Sequence, residues 1–318
     1  MTTPKISIVL ANYNNGIYLD DCLRSVAKQS FTDWECIVVD DGSTDDSKKI
    51  IRRWAKTDSR FKPLFQKNSG VSAARNRGIE RATGEWVAFL DSDDCFAPDA
   101  LKILYTLGEQ TNAGIVGGGG MRVPDEFKLG DDTPTAYFVS PPFIMLHSNP
   151  VDIMKMFYLG EAYRFVWVWR RLFRRGLLEK IRFDEELYPG EDTCFMLEIL
   201  PHARRIVETK SIVVYHRMAR TAVSSAPFNQ KSIAYIPPTL RRIRWIMDTY
   251  YPPKFQREFY KSFMEMIMFE TVVKSMTRGR MMRQAAQVLR TVYGRPECPT
   301  KYLSPVKRLI LWLFIRVF

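Results

Sequence analysis

The sequence predicts an α/β protein with a mostly parallel sheet, helices on both faces and a helical extension at the carboxyl end. Two observations predict this architecture. Over residues 1–120, short apolar runs rich in β-branched and aromatic residues alternate with amphipathic helical stretches, the pattern of right-handed βαβ units. After the Pro-Pro step at residues 237–238, the pattern becomes helical to the end of the chain, with breaks at 252–253 and 294–299.

The individual elements follow from these runs. Strands are predicted at residues 6–10, 34–39, 62–66 and 86–90, with a weaker fifth run at 114–116. Helices are predicted near residues 17–28, 45–54, 71–81 and 98–107, with Ser43, Thr44 and Ser69 as candidate caps. Residues 123–150, rich in Pro, Gly and Asp, predict a long loop suited to substrate selection, and residues 151–219 return to a mixed pattern.

Charge is concentrated at one end of the chain. The 318 residues carry a net charge of +12, and residues 220–318 hold 18 Lys and Arg against 5 Asp and Glu, whereas residues 1–120 and 121–219 are close to neutral. A basic end on a neutral body favours an anionic partner: nucleic acid, a phospholipid surface or phosphate groups.

Cysteine usage favours a reducing compartment. The five cysteines are odd in number and form no C-x-x-C pair, which argues against a disulfide framework or a zinc site. Since the first residues contain no basic segment followed by a long apolar run, we expect no secretory signal.

Polar turns follow three of the predicted strands, at residues 12–15, 40–45 and 91–94. Ligands bind at the carboxyl ends of the strands in such sheets, so these turns predict a site. Neither a G-x-G-x-x-G nor a P-loop pattern is present. Crowded carboxylates raise one another's pKa unless a cation compensates, and hard oxygen ligands suit Mg²⁺ or Mn²⁺. For any one of these polar turns, the alternative is a solvated Asp-rich turn or a helix cap.

Four ordered motifs carry a family resemblance. They are SIVLANYN at residues 7–14, VVDDGSTD at 38–45, NSGVSAARNRG at 68–78 and FLDSDD at 89–94. Over residues 5–220 the chain resembles nucleotide-sugar-dependent glycosyltransferases of the GT-A fold, particularly inverting family 2. The resemblance implies a GT-A catalytic domain at 1–220, with a nucleotide-binding half at 1–120 and an acceptor-binding half at 121–220, followed by a basic helical region at 221–318.

The resemblance also implies roles on the donor side. Asp40 or Asp41 would accept a hydrogen bond from the base, and the backbone from Ala11 to Tyr13 would pack on the same ring. A carboxylate pairs with the imide of uracil, which favours a UDP-sugar, although thymidine-type donors share that imide. The remaining implied contacts are Arg75 to base or phosphate, Asp91 to ribose or donor sugar, and Asp93 to a bridging metal ion. A surface arginine on an amphipathic helix is the alternative for Arg75.

A later motif, YPGEDTCF at residues 188–195, resembles the Glu-Asp step of the family. Asp192 would be the general base of a single in-line displacement, with Glu191 orienting the acceptor. No Ser/His/Asp or Cys/His order suggests a covalent intermediate, so inversion is the simpler expectation. The alternative is that both acids only favour the positive end of a helix dipole.

Two further segments resemble donor-binding parts of the family. In WVWRRLFRR at 167–175, Arg171 would approach the donor. The alternatives are an RNA-stacking surface and an amphipathic helix, and on pattern alone we favour the helix. In VYHR at 214–217, His216 would ligate the metal and Arg217 would contact the diphosphate. The sequence departs from the family just after this point, because AVS at 222–224 stands where a Gly-Ser step is common.

The last residues predict a basic helix that begins with Ser304 as cap and Pro305 in its first turn. Its apolar run, LILWLFI at 309–315, has seven residues, short of the roughly 18 needed to span a bilayer. We therefore expect it to lie at an anionic membrane surface, with a core helix or homodimer interface as alternatives.

Together these features predict a metal-dependent, inverting glycosyltransferase that moves a sugar from a nucleotide sugar to a lipid-linked glycan at the inner face of the cell membrane. Soluble acceptors, a nucleotidyltransferase of related fold, a basic nucleic-acid-binding protein and a catalytically silent scaffold remain as alternatives. On the leading interpretation no nucleic acid is expected as a partner.

Overall fold

The computed structural model describes residues 3–128, 130, 138–139, 145–147, 167–187, 190–218, 236–256 and 259–260, and single positions beyond them at 286–287, 289–290, 311 and 316. The chain divides into two compact units. The first comprises Met1–Asn149, Trp167–Glu185 and His202–Ala226, and the second comprises Pro150–Val166, Glu186–Pro201 and Pro227–Phe318.

The first unit begins with a parallel half-sheet and its helices. In chain order these are β1 (Ile6–Asn12), α1 (Gly16–Ala27), β2 (Trp34–Asp40), α2 (Ser47–Thr57), β3 (Phe61–Phe65), α3 (Val71–Arg81) and β4 (Trp86–Asp91). The spatial order is β3-β2-β1-β4, and every neighbouring pair is parallel. This half of the sheet is the βαβ arrangement that the alternating pattern predicts.

The rest of the sheet is mixed. It contains β5 (Cys95–Phe96), α4 (Ala100–Thr111), β6 (Ile115–Val123), β7 (Phe138–Val139), β8 (Met145–His147), β9 (Arg171–Arg174) and β10 (Ile206–Arg217). The order continues from β4 as β9-β6-β10-β5, with β7 beside β6 and β8 beside β10. Strand β9 is antiparallel to both β4 and β6, whereas β6 and β10 are parallel.

Helices cover both faces of the sheet, as predicted. One face of β1, with Ile8 and Leu10, packs in a core with Leu23 of α1 and Leu104 of α4. The opposite face packs on α3 so closely that a side chain at Gly78 would overlap Val9.

Two local predictions are wrong. Residues 167–175 form a turn followed by β9, not an amphipathic helix, because Leu172 and Phe173 pair with β4 and β6 in the buried sheet. Helix α2 begins at Ser47 and helix α3 at Val71, and no side chain, including those of the predicted caps Ser43, Thr44 and Ser69, makes a cap hydrogen bond at either start. The Ser43 hydroxyl instead accepts a hydrogen bond from the backbone N–H of Asn14, which ties the turn after β1 to the turn after β2.

The second unit contains α5 (Glu191–Ile199) and α6 (Ile236–Tyr250). The hydroxyl of Tyr251 donates to the Leu197 carbonyl at 2.7 Å, and Arg242 pairs with Glu198 at 2.6 Å. These contacts group residues 186–201 with the carboxyl-terminal part, whereas the predicted boundary lies at residue 220. Within the described ranges, no helix combines the length and apolar character needed to cross a bilayer.

Candidate active site

The carboxyl ends of β1, β2 and β4 meet at one edge of the sheet. The register aligns Asn12 with Asp40 across β1 and β2, and Ala11 with Asp91 across β1 and β4. The side chain of Asn15 extends the contact by donating to the Ser92 hydroxyl at 2.9 Å. The three polar turns singled out in the sequence therefore form one cluster.

Asp40 and Asp41 are both buried and hydrogen-bonded within the protein. Asp40 accepts from the Asn12 amide at 3.1 Å and from the backbone N–H of Ser43 at 3.1 Å. Asp41 accepts from the backbone N–H groups of Ser69 and Gly70, each at 2.8 Å, and so fixes the loop that leads into α3. Asp41 also accepts from the Gln66 amide at 2.8 Å. The contact with a nucleotide base that the resemblance implies for Asp40 or Asp41 stays a prediction.

Tyr13 stands out from the buried carboxylates because about half of its side chain, 49%, is exposed. The neighbouring Asn14 has a φ of 52°, in the left-handed region, and its side chain accepts from the backbone N–H of Thr44 at 2.8 Å. The turn after Ala11 is therefore held in place while an aromatic ring faces outward.

Arg75 and Asp91 pair with each other at 2.9 Å between a guanidinium nitrogen and a carboxylate oxygen. Arg75 is buried on α3 and lies over the ring of Phe183, whereas Asp91 is partly exposed at the end of β4. The structure thus joins two predicted donor-site residues, with the carboxylate nearer to solvent than the arginine.

Asp93 lies close to two other carboxylates, Asp91 and Asp94. Burial, together with the charges of Asp94 and Asp91, raises its pKa to about 7. A cation near this carboxylate would favour its ionised form.

Asp94, which the sequence interpretation did not assign, contacts His216 from 122 residues away. Both of its carboxylate oxygens lie 3.1 Å from Nδ1 of His216, and one also accepts from the backbone N–H of Arg217 at 2.9 Å. Burial raises the pKa of Asp94, although the hydrogen bond to His216 and the charge of that histidine act to lower it. Burial alone would lower the pKa of His216, but the bond to Asp94 and the nearby carboxylates raise it.

The candidate metal ligands fit a hard divalent ion that is held mainly by substrate phosphates. Among the residues that the structure describes, no group of three or more His, Cys, Asp and Glu side chains could hold a metal ion. Asp93 and His216 instead offer one oxygen and one nitrogen, and Mg²⁺ is typically held by one or two protein groups plus substrate phosphates. The raised pKa of Asp93 supports its assignment as a metal ligand.

Arg217 is buried and donates to main-chain oxygens. Its Nε–H donates to the carbonyl of Asp93 at 3.0 Å, and Nη1 donates to the carbonyls of Asp125, at 3.0 Å, and Phe127. These contacts hold the acidic turn against the segment that follows β6. The diphosphate contact implied by the resemblance stays a prediction.

Arg171 lies within the sheet, not at the edge that carries the acidic turns. Its guanidinium pairs with Glu208 at 2.8 Å, and Arg170 approaches the other oxygen of Glu208 at 3.6 Å. All three side chains are buried, and a side chain at Gly117 would overlap Glu208. These contacts give Arg171 a structural role, and its donor contact stays a prediction.

Glu191 and Asp192 form the first turn of α5, where the helix dipole favours negative charge. Gly190, with a φ of 116°, precedes them, and its backbone N–H donates to Glu191 at 3.1 Å. Both acids are partly buried in the second unit. Tyr188 and Pro189 of the same motif lie outside the described residues.

The interpretation of the sequence missed Asp94, Trp169 and Glu208. Asp94 belongs to the acidic turn that was quoted, and its position beside two other aspartates was the available signal. Glu208 is the one acidic residue of β10 and directly follows the apolar pair Ile206 and Val207, which was the available signal. Trp169 stacks on the ring of His216, and nothing in the sequence marks that contact.

Comparison with known proteins gives a consistent result. Residues 7–182 match the family model described as Glycosyl transferase family 2. A putative glycosyltransferase, EpsH of Bacillus subtilis, is 32% identical over 228 residues, which covers 70% of this chain and 63% of that protein. A GalNAc(5)-diNAcBac-PP-undecaprenol beta-1,3-glucosyltransferase of Campylobacter jejuni is 29% identical over 61% of this chain and 59% of its own length. The chain thus spans slightly less than two thirds of these relatives.

Solved structures show the same fold. Residues 1–349 of Staphylococcus aureus TarS, in complex with UDP-GlcNAc, superpose with a TM-score of 0.71 at 20% identity, covering 98% of this chain and 87% of that one. The mannosyltransferase PcManGT of Pyrobaculum calidifontis, in complex with GDP-Man and Mn²⁺, gives a TM-score of 0.57 at 16% identity, covering 100% and 82%. The predicted fold is confirmed, and the matches favour a glycosyltransferase over a nucleotidyltransferase or a nucleic-acid-binding protein.

Proposed function

The chain belongs to glycosyltransferase family 2, and we propose that it transfers a sugar from a UDP-sugar to a glycan hydroxyl with inversion at the anomeric carbon. The observation that carries the proposal is the cluster at the carboxyl ends of β1, β2 and β4, where burial and the charges of Asp94 and Asp91 raise the pKa of Asp93 to about 7. A divalent ion bound with a nucleoside diphosphate would supply positive charge beside Asp93, and the nucleotide would occupy the polar edge.

The nucleotide end of the donor fits the turns after β1 and β2. The exposed ring of Tyr13 offers a surface for the base, and Asp40 and Asp41 are the nearby acceptors for the imide N–H of uracil. The TarS complex with UDP-GlcNAc supports a uridine donor on this fold. Arg75 sets the position of Asp91, which is proposed to contact the ribose or the donor sugar.

Asp93 and His216 are the residues proposed to hold Mn²⁺ or Mg²⁺. When bound, the ion would neutralise the charge that develops on the departing diphosphate. The Mn²⁺ complex of PcManGT supports the use of a divalent ion on this fold. Arg217 keeps the main chain at Asp93 in place through its bond to the Asp93 carbonyl.

Asp192 is proposed to be the general base. It takes the proton of the acceptor hydroxyl as the hydroxyl oxygen forms a bond to the anomeric carbon, while the bond from that carbon to the diphosphate oxygen breaks and UDP leaves. One displacement inverts the configuration. Glu191, beside it in the first turn of α5, is proposed to orient the acceptor.

A lipid-linked acceptor at the inner face of the cell membrane is the proposed setting. The Campylobacter jejuni relative, named for a PP-undecaprenol substrate, supports it, as does the charge of +13 in residues 220–318. Trp245, 47% exposed on α6 beside Arg241 and Arg242, adds an aromatic side chain suited to a headgroup region. Of the apolar run at 309–315, only Leu311 is described, and it is helical and buried.

The test is donor turnover by the purified chain. With Mn²⁺ present and a panel of UDP-, GDP- and dTDP-sugars, we expect slow release of UDP from one or more UDP-sugars even without acceptor, and its loss when EDTA is added. Indifference to every UDP-sugar would contradict the proposed donor. Release unaffected by EDTA would contradict the metal requirement alone.

A further inference from the structure

Asp94 is a buried carboxylate whose partners lie at the end of β10. Only 1% of the residue is exposed, and its oxygens are occupied by Nδ1 of His216 and the backbone N–H of Arg217. A buried carboxylate is costly unless hydrogen bonds satisfy it, so this one is committed to holding the imidazole and the adjoining main chain.

Trp169 restrains the same imidazole in a second way. Its ring stacks on that of His216 with centroids 5.0 Å apart and planes 14° apart, and Trp167 stacks on Trp169 at 5.3 Å. Gly120 makes room for the stack, since a Cβ there would lie 2.9 Å from the Trp169 ring. Stacking fixes the plane of the imidazole, and the bond to Asp94 fixes its rotation within that plane.

The two restraints determine which ring nitrogen is available. Nδ1 faces a carboxylate, so the neutral ring carries its proton there and keeps its lone pair on Nε2. A histidine that ligates a metal generally donates its other N–H to such a carboxylate, which fixes the tautomer and increases the basicity of the ligating nitrogen. About a quarter of the His216 side chain, 26%, is exposed, so a ligand can reach it.

We propose that Asp94 and Trp169 are positioning residues that hold His216 with Nε2 directed to the divalent ion shared with Asp93. The inference rests on the proposed function, because it assumes that a divalent ion binds beside Asp93. It adds two residues to the site that neither touch the donor nor ligate the ion. They act through the orientation and tautomer of one imidazole.

The test measures Mn²⁺ affinity directly, from the electron paramagnetic resonance signal of free Mn²⁺ in the presence of saturating UDP. We expect Asp94→Asn and His216→Ala each to weaken Mn²⁺ binding by about 10-fold or more, the range found for partners of metal ligands. In the double variant, Asp94→Asn should cause no further loss, because its effect requires the imidazole. Asp99→Asn, an exposed carboxylate at the start of α4, is the matched control.

Trp169 gives a second pair of variants for the case in which Asp94→Asn does not fold. Trp169→Phe keeps an aromatic face and should retain most of the Mn²⁺ affinity, whereas Trp169→Leu should lose it. Additive losses in the double variant, or wild-type affinity in Asp94→Asn and Trp169→Leu, would overturn the positioning role alone. A wild-type chain that binds UDP but no Mn²⁺ would overturn the metal requirement and this inference together.

Discussion

Three aspartates in one turn, residues 91, 93 and 94, have different partners and therefore different chemistry. Asp91 is paired with Arg75, and Asp94 is bonded to His216 and to the backbone of residue 217. Asp93 lies between them with its pKa raised to about 7. Because Asp91 and Asp94 already have side-chain partners within the protein, Asp93 is the carboxylate proposed to bind a cation.

The role of Asp192 as the proposed general base can be tested separately from donor binding. Asp192→Asn removes the proton acceptor without changing the shape of the side chain, so we expect glycosyl transfer to fall by about 10²- to 10⁴-fold. UDP-sugar affinity, measured by calorimetry, should stay near that of the wild type.

Glu191→Gln is the neighbouring control and should cost less, because a glutamine oxygen can still accept from the backbone N–H of Gly190. Transfer by Asp192→Asn at the wild-type rate would remove Asp192 from the mechanism. A matching loss of donor affinity would instead assign it to binding.

Strand β9 begins at a buried charge cluster, which we expect to contribute to the free energy of unfolding. Glu208 of β10 pairs with both Arg170 and Arg171, and all three side chains are buried. Glu208→Gln removes the carboxylate charge that both arginines contact, so we expect the free energy of unfolding to fall by about 3–5 kcal/mol. Urea denaturation measures this loss.

The control is a partly exposed ion pair on α6. Arg244 and Asp248 lie 2.6 Å apart at i,i+4 spacing, and we expect Asp248→Asn to cost only about 0.3–0.5 kcal/mol. A loss in Glu208→Gln no larger than this control would mean that the buried cluster does not stabilise the sheet.

The contact between α3 and β1 supports the helix that carries Arg75. A methyl group at Gly78 would overlap Val9, so we expect Gly78→Ala to lower the free energy of unfolding by about 1–3 kcal/mol despite the better helix propensity of alanine. Adding Val9→Ala should recover part of the loss in thermal unfolding. At Gly176 nothing lies within 4 Å of a built Cβ, so a stable Gly176→Ala is the expected control.

Elements with a clear period were predictable from sequence, and β9 was not. Helix α3, Val71–Arg81, lies where the spacing of apolar residues predicts it. In residues 167–175 the arginines resemble a polar helix face, because their counter-charge, Glu208, is more than 30 residues away in the chain. Only tertiary pairing turns this basic segment into a buried strand.

For the whole molecule, the location of the candidate site followed from sequence, but the partners within it did not. Parallel strands bring their carboxyl ends together, so three polar turns were sufficient to locate the edge. The distinction between Asp93 and Asp94 depends on the approach of His216 on β10, which no local pattern encodes. Burial of Arg171 and Arg217 likewise follows from tertiary packing.

The uneven charge of the whole chain gives a test of the proposed membrane contact. We expect flotation with anionic vesicles but not with neutral ones, and loss of binding as salt rises, because screening weakens the attraction to the basic region. Trp245→Ala should reduce flotation, whereas Ile17→Ala, an exposed apolar side chain of the first unit, should not. Equal binding to neutral vesicles would contradict an electrostatic contact.

The acidic edge of the sheet is proposed to bind uridine diphosphate together with a divalent ion. Calorimetric titration of UDP into the wild-type chain and into Asp93→Asn, each with Mn²⁺ and with EDTA, tests this proposal. We predict that Mn²⁺ tightens UDP binding to the wild type by about 10-fold or more, and that Asp93→Asn abolishes this gain. An identical UDP affinity in all four titrations, or no UDP binding by the wild type, would contradict the claim.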